Sequence, residues 1–182
     1  MVKVVSPYFN IELYEQIILL PKYLNNNLYN NLLTELKRKV ENKCNTKVYI
    51  NKIHKIIEYN NGIMEPENFT GSVKYNVKYI ANICNPLKDT NIICQIKNIN
   101  KLLLKAEYGP IILIIKTSEI NRSIFKIFEG DIINIKNKKK LEIDDYIIIK
   151  ILDKKLSHND TRICTIGYLE RLATVDEIKE YM

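Results

Sequence analysis

The chain has 182 residues, of which 46% are hydrophobic and 27% charged, and its formal net charge is +7. That apolar share is enough to bury a core and argues against a disordered chain. The densest apolar runs, Ile111–Ile115 and Tyr146–Ile149, are far shorter than the ~20 residues of a membrane-spanning helix. The four cysteines, Cys44, Cys84, Cys94 and Cys164, are scattered without a C-x-x-C pair, so reduced thiols are expected in place of a zinc site or a disulfide framework. The opening MVKVVSPYFN lacks a basic region followed by a long apolar run, and a soluble intracellular protein is expected. The N-x-S/T triplets at Asn68, Asn121 and Asn159 then read as chance matches. Ile, Asn, Lys and Tyr dominate, all with A/T-rich codons, which marks an A/T-rich genome and says nothing of the fold.

Val2 to Leu20 reads as extended, with an early break at Ser6-Pro7 and a stop at Pro21. Asn25 to Cys44 is the clear helix. Leu28, Leu32, Leu36 and Val40 recur every four residues, and Leu33 widens the stripe into a core face. Asn25 or Asn26 can cap its start, and Lys37, Arg38, Lys39 and Lys43 suit the negative end of the helix dipole. Lys47 to Tyr59 returns to β character, and Asn60-Asn61-Gly62 signals a turn because Asn and Gly tolerate positive φ. From Gly71 a strand opens with Val73, Tyr75, Val77 and Tyr79 on one face and Lys74, Asn76 and Lys78 on the other. The first half is therefore expected to be one helix on a small, mostly antiparallel sheet.

Beyond Pro86 the pattern changes to short strands: Asn91–Ile99, Leu102–Glu107, Ile111–Lys116, Asp131–Ile135, Asp145–Asp153 and Arg162–Leu169. Gly109-Pro110 and Ser157–Asp160 mark turns, and Asp176–Tyr181 a short terminal helix. Five or six strands in about eighty residues suit an OB-type barrel. The expected fold class is α+β, with an N-terminal domain at 1–85, a barrel at 86–169 and a tail at 170–182.

No nucleophile elbow, phosphate loop or metal-ligand spacing occurs, so no catalytic residue, metal or cofactor is expected. Asp144 and Asp145 read as a turn before a strand, His158 as a solvated turn residue and His54 as structural. Residues 86–169 carry 15 basic and 10 acidic side chains, a surplus compatible with polyanion contact. The run Lys136-Asn137-Lys138-Lys139-Lys140 is either a solvated loop or a phosphate contact that releases counterions. Lys101, Lys105 and Arg162 are supporting candidates for RNA binding. Stacking aromatics are missing where they would be wanted, at Leu102-Leu103-Leu104, and Tyr108 and Tyr146 read as core.

The series Gly62-Ile63, Pro66, Gly71, Tyr75-Asn76-Val77-Lys78-Tyr79 and Asn85-Pro86-Leu87-Lys88 resembles the larger stalk subunit of multisubunit RNA polymerases, the archaeal and eukaryotic polymerase II type. Ala106-Glu107-Tyr108-Gly109-Pro110, Asp145 to Leu152 and Cys164–Leu169 continue the likeness in order. Asn100-Lys101 stands where that family commonly has Gly followed by aromatics. The resemblance implies a tip domain wedged against the polymerase core near the clamp, an OB barrel facing emerging RNA, and a small helical stalk subunit along their junction. It places Asn60, Asn61, Gly62, Ile63, Met64 and Pro66 at the docking tip, and it implies a non-catalytic role without membrane contact. The A/T-coded composition suggests a virus-encoded polymerase, whose small partner can be missing. The location would be the nucleus for a cellular protein, and the virion or host cytoplasm for a viral one. The alternatives are a free-standing RNA-binding factor of the translation or RNA-chaperone type and a nuclease built on Asp144 and Asp145.

Overall fold

A computed structural model describes residues 3–66, 69–128 and 130–181, so Val2 and Asn68 lie outside the described residues. β1 (Tyr8–Leu19), β2 (Lys43–Cys44), β3 (Tyr49–Tyr59) and β4 (Val73–Cys84) form an antiparallel sheet in the order β1-β4-β3-β2. α1 (Leu28–Val40) covers one face. Its buried Leu32, Leu36 and Val40 join Ile17, Leu19 and the inward side of β4 in a single apolar cluster. Burial on β4 alternates without a break through Val73, Tyr75, Val77, Tyr79, Ala81 and Ile83, as the pleat requires. On β3 the buried residues are instead spaced by three, at Ile50, Ile53 and Ile56. Three register shifts against β4 account for this, because each bulge inserts an extra residue and returns the next Ile to the same face.

The helix ends differ from expectation. Asn27 occupies the N-cap, and Asn25 acts one step earlier by accepting the Asn27 N–H at 2.9 Å. Lys43 lies in β2, outside the helix, yet its Nζ donates to the carbonyls of Arg38 and Lys39 at 3.1 and 3.3 Å. It therefore still serves the unpaired helix end.

Five further strands close a barrel: β5 (Asn91–Ile99), β6 (Leu103–Tyr108), β7 (Ile111–Lys116), β10 (Tyr146–Lys155) and β11 (Ile163–Leu172). The first three follow one another as antiparallel neighbours. β11 then pairs in parallel with β7, and β10 closes the ring between β11 and β5. This is a five-stranded OB-type connection. The expected strand at Asp131–Ile135 is not part of it. β9 (Asp131–Asn134) pairs with β8 (Phe125–Phe128), a strand the residue pattern did not disclose, as a hairpin in the long connection from β7 to β10. Phe125, Ile132 and Leu141 nevertheless join the barrel's buried cluster.

The two halves interlock. Cys44, Tyr49 and Cys84 belong to the barrel's buried cluster. Val5 donates to the Asn91 carbonyl at 2.9 Å, and the Cys44 N–H to the Asp160 carbonyl at 2.7 Å. Tyr8 meets Tyr108 edge-on at 5.7 Å, and Tyr108 lies 5.0 Å from Tyr181 of α2 (Val175–Tyr181). Gly109, at φ +54°, leaves the space that the Tyr8 hydroxyl fills; a Cβ there would collide with it. Pro86 is buried in the link from β4 to β5, and without an N–H it cannot extend the sheet ladder.

Candidate docking loop and nucleic-acid interface

β3 starts at Tyr49 and β4 ends at Cys84, both against the barrel. The connection between their other ends must therefore lie at the far end of the pair, roughly 35 Å away for strands of this length. Its first half is anchored. Asn60 Oδ1 accepts the Asn76 N–H at 2.9 Å, and Ile63 exchanges two backbone hydrogen bonds with Lys74 at 2.8 and 2.9 Å. Lys74 also pairs with Glu65. Gly62 sits at φ +79°, with Val73 Cγ1 2.6 Å and the Tyr75 ring 2.8 Å from where a Cβ would stand. Ile63 and Met64 are each 57% exposed, while Asn61 and Pro66 are also solvent-facing. Two aliphatic side chains are thus presented outward on a braced turn.

In OB barrels the usual ligand face spans the second and third strands and the loops that follow strands one and four. Here these are β6, β7 and the loops at 100–102 and 156–162. Lys101 lies in the first loop, Lys105 on β6 and Arg162 at the end of the second loop. Lys105 and Arg162 converge on Glu107, at 2.8 and 3.3 Å. Hydrogen bonding from Lys105 is the main cause holding the Glu107 carboxyl below the usual range. The second loop is also engaged by β2, through the Asn159–Cys44 and Cys44–Asp160 backbone bonds at 2.8 and 2.7 Å.

Lys136, Lys138, Lys139 and Lys140 form a separate exposed group between β9 and β10, with Lys138 at φ +52°. Lys139 pairs with Asp145 at 3.6 Å and Lys140 with Asp131 at 2.7 Å. Lys101 joins this group, since it lines with Lys140 an open cleft of about 570 Å³ that also holds Asp131 and Glu142. Among the described residues, Lys101, Lys136 and Lys138 make no ion pair. The seven cations therefore fall into two groups, and four of them have carboxylate partners that charge counting alone did not reveal.

The outer side of the barrel strands carries an aliphatic strip among its charged side chains. Leu103, Ile114 and Ile166 are 38%, 40% and 47% exposed, with Ile114 and Ile166 in register on adjacent strands. Alternation of β7 and β11 carried this strip in the sequence. Leu104 is buried in the core and Leu102 is 78% exposed in the turn. Tyr108 is committed to the junction and offers no open ring to a base.

His54 contacts Asn10 Oδ1 at 3.2 Å on the open face of the sheet. Asp144, at φ +73°, and Asp145, whose Oδ2 accepts the Glu142 N–H at 3.0 Å, build the turn before β10. Cys44, Cys84 and Cys94 are buried and Cys164 is exposed. Burial lifts the Cys44 thiol to about 11 and the Cys84 thiol to about 12, so both remain protonated near neutral pH. Among the described residues no cluster of His, Cys, Asp and Glu gathers to hold a metal ion, and no helix is long and apolar enough to cross a membrane.

No family model matches the chain. It is 37% identical over 176 residues to L376 of Acanthamoeba polyphaga mimivirus, provisionally assigned as a DNA-directed RNA polymerase subunit; the match covers 97% of this chain and 88% of L376. It is 25% identical over 167 residues to the DNA-directed RNA polymerase II subunit RPB7 of Glycine max, covering 90% of this chain and 92% of that subunit.

Proposed function

The chain belongs to the family of DNA-directed RNA polymerase subunits that includes RPB7, and on that premise we propose that it is a non-catalytic stalk subunit that docks on the polymerase core through its tip. The observation that carries the docking assignment is the pair of exposed aliphatic residues, Ile63 and Met64, on a turn braced against β4. Exposed apolar side chains on a rigid turn suit a protein interface, because little conformational entropy remains to be lost on binding. We place the division of labour at residues 85/86, with the tip at 1–85 held to the enzyme and the barrel expected at 86–169 beside emerging RNA; its last strand runs on to Leu172, three residues into the expected tail at 170–182. RNA contact rests on Lys101, Lys136 and Lys138, with Lys105, Lys139, Lys140 and Arg162 partly offset by their carboxylates. It is charge-driven and sequence-tolerant, since the barrel's open strip is aliphatic.

A small helical stalk partner would seat a few of its side chains in a cleft of about 520 Å³ between α1, β1, β2 and the loop at 157–160. The mimivirus relative and the A/T-coded composition support a virus-encoded polymerase working in the virion or host cytoplasm; in a cellular setting the nucleus is the place. The test is co-purification from native lysate with the double variant Ile63→Glu/Met64→Glu. Both positions are exposed, so the fold should persist while the large polymerase subunits are lost. Wild-type recovery of those subunits would remove the tip from the interface. Recovery of ribosomes in place of polymerase, with the unaltered chain, would make it a free-standing RNA-binding factor.

A further inference from the structure

The β8–β9 hairpin lies outside both the docking loop and the OB ligand face. Its two edges are not equivalent. The outer edge of β9 is covered by the chain that follows: Ile133 bridges Lys140, Asn134 donates to the Lys139 carbonyl at 2.8 Å, and Leu141 donates to the Ile132 carbonyl at 2.9 Å. The outer edge of β8 has no strand partner among the described residues, although the Phe125 N–H on that edge already donates to the Asn121 carbonyl at 2.9 Å. Beside it opens a groove of about 410 Å³ lined by Ile120, Arg122, Phe125, Lys126, Ile127 and Ile135. Phe125 and Ile120 form its buried floor, at 2% and 3% exposure, whereas Ile127 and Ile135 stand 41% and 49% exposed. Among the described residues its lining has four apolar side chains, two cations and no carboxylate. Neither Arg122 nor Lys126 is in an ion pair among the described residues.

We propose that this groove and the free edge of β8 take an extended, acidic protein segment with aliphatic side chains, which adds to the hairpin as a third strand. With the Phe125 N–H taken by Asn121, this edge offers the Phe125 carbonyl and the N–H and carbonyl of Ile127, and strand addition is the way such groups are satisfied by a partner. Alternate side chains of the added strand would enter the groove over Phe125 and Ile120. The carboxylates between them would face Arg122 and Lys126. Lysine on an edge discourages pairing with like chains, and it becomes an attraction when the incoming strand is acidic. The apolar floor and walls favour protein over nucleic acid, because a phosphate backbone gains nothing from exposed isoleucines.

The test uses the full-length chain and a fluorescent peptide alternating Glu and Ile, with solubilising Gly-Ser ends. Saturable binding should weaken at least tenfold in Arg122→Glu/Lys126→Glu, and a peptide with Pro at its centre should lose binding, since it cannot complete the ladder. Amide shifts on peptide addition should concentrate at Phe125–Phe128. The milder Arg122→Gln/Lys126→Gln variant, with an unchanged melting temperature, guards against misfolding and should lose affinity in the same direction. Equal binding by the proline peptide, or by a folded charge variant, would overturn the proposal. Oligo(U) RNA displacing the peptide from these residues at lower concentration would overturn it as well, making the groove a nucleic-acid surface.

Discussion

Tyr79→Ala tests the assignment of faces on β4 most directly. Tyr79 is 1% exposed at the middle of the central strand, opposite Leu13 of β1 and Ile56 of β3. Burial, with the nearby Glu15 second, pushes its hydroxyl well above the usual tyrosine range. A tyrosine hides on the order of 200 Å², and at ~25 cal/mol per Å² the ring is worth about 3 kcal/mol beyond what alanine retains. Incomplete collapse of the space adds to this, so about 3–4 kcal/mol is the expected loss. For a chain of this size that corresponds to a fall in melting temperature of roughly 6–16 °C. Lys78, one residue earlier, points the other way and pairs with Glu12 at 3.1 Å on the open face. Lys78→Ala should change stability by no more than about 1 kcal/mol. Both melts can be followed by far-UV circular dichroism on the intact chain. Equal effects from the two variants, or no effect from Tyr79→Ala, would show that the strand's faces are assigned backwards.

Gly109→Ala should destabilise the junction by about 2 kcal/mol, since it adds a collision with the Tyr8 hydroxyl to an unfavourable φ, and hydrogen exchange should rise at residues 4–8. Acid should release the terminal helix. Glu177 is held to about 2, first by its hydrogen bond to Arg171, so its contribution is complete above the ordinary carboxyl range near 4.5 and disappears as pH falls toward 2; amide exchange in α2 measures it. On single-stranded RNA, Lys136→Gln/Lys138→Gln should flatten the log affinity against log salt slope by up to about 1.4 units. Lys139→Gln/Lys140→Gln should flatten it less, because Asp145 and Asp131 already neutralise those lysines.

Strand β4 was legible because its period of two runs unbroken, and α1 because its leucines fall every four residues. The three bulges of β3 were not. Their trace is the period of three at Ile50, Ile53 and Ile56, which fits neither a flat strand nor a helix of useful length. β8 escaped because four residues reading Phe-Lys-Ile-Phe carry too little pattern to separate a strand from a loop. The RNA candidates were found as charges but not as pairs. Glu107, Asp131 and Asp145 reach their cations through the fold, and nothing local announces that Arg162 and Lys105 share one carboxylate. The turn at Asn60–Gly62 was readable from its residue types, while the exposure of Ile63 and Met64 needed the register with Lys74.

The junction determines how a stalk of this shape can work. β4 leads from the loop at 60–66 to Cys84 in the barrel's buried cluster, so one strand runs through both halves. Four ties join the two halves: Val4 and Val5 on Asn91 of β5, β2 on the loop at 157–160, the Tyr8–Tyr108–Tyr181 stack, and Asn85 with Lys154. Interfaces between domains of one chain are ordinarily polar and permit relative motion. This one is continuous with an apolar core and crossed by backbone hydrogen bonds, which favours a single rigid lever over a hinge. On the proposed docking, the orientation of the barrel would then be set by how the Asn60–Pro66 turn seats on the polymerase. A displacement at that turn would be carried along the β1–β4 ladder, whose register is unbroken from Val77 to Cys84.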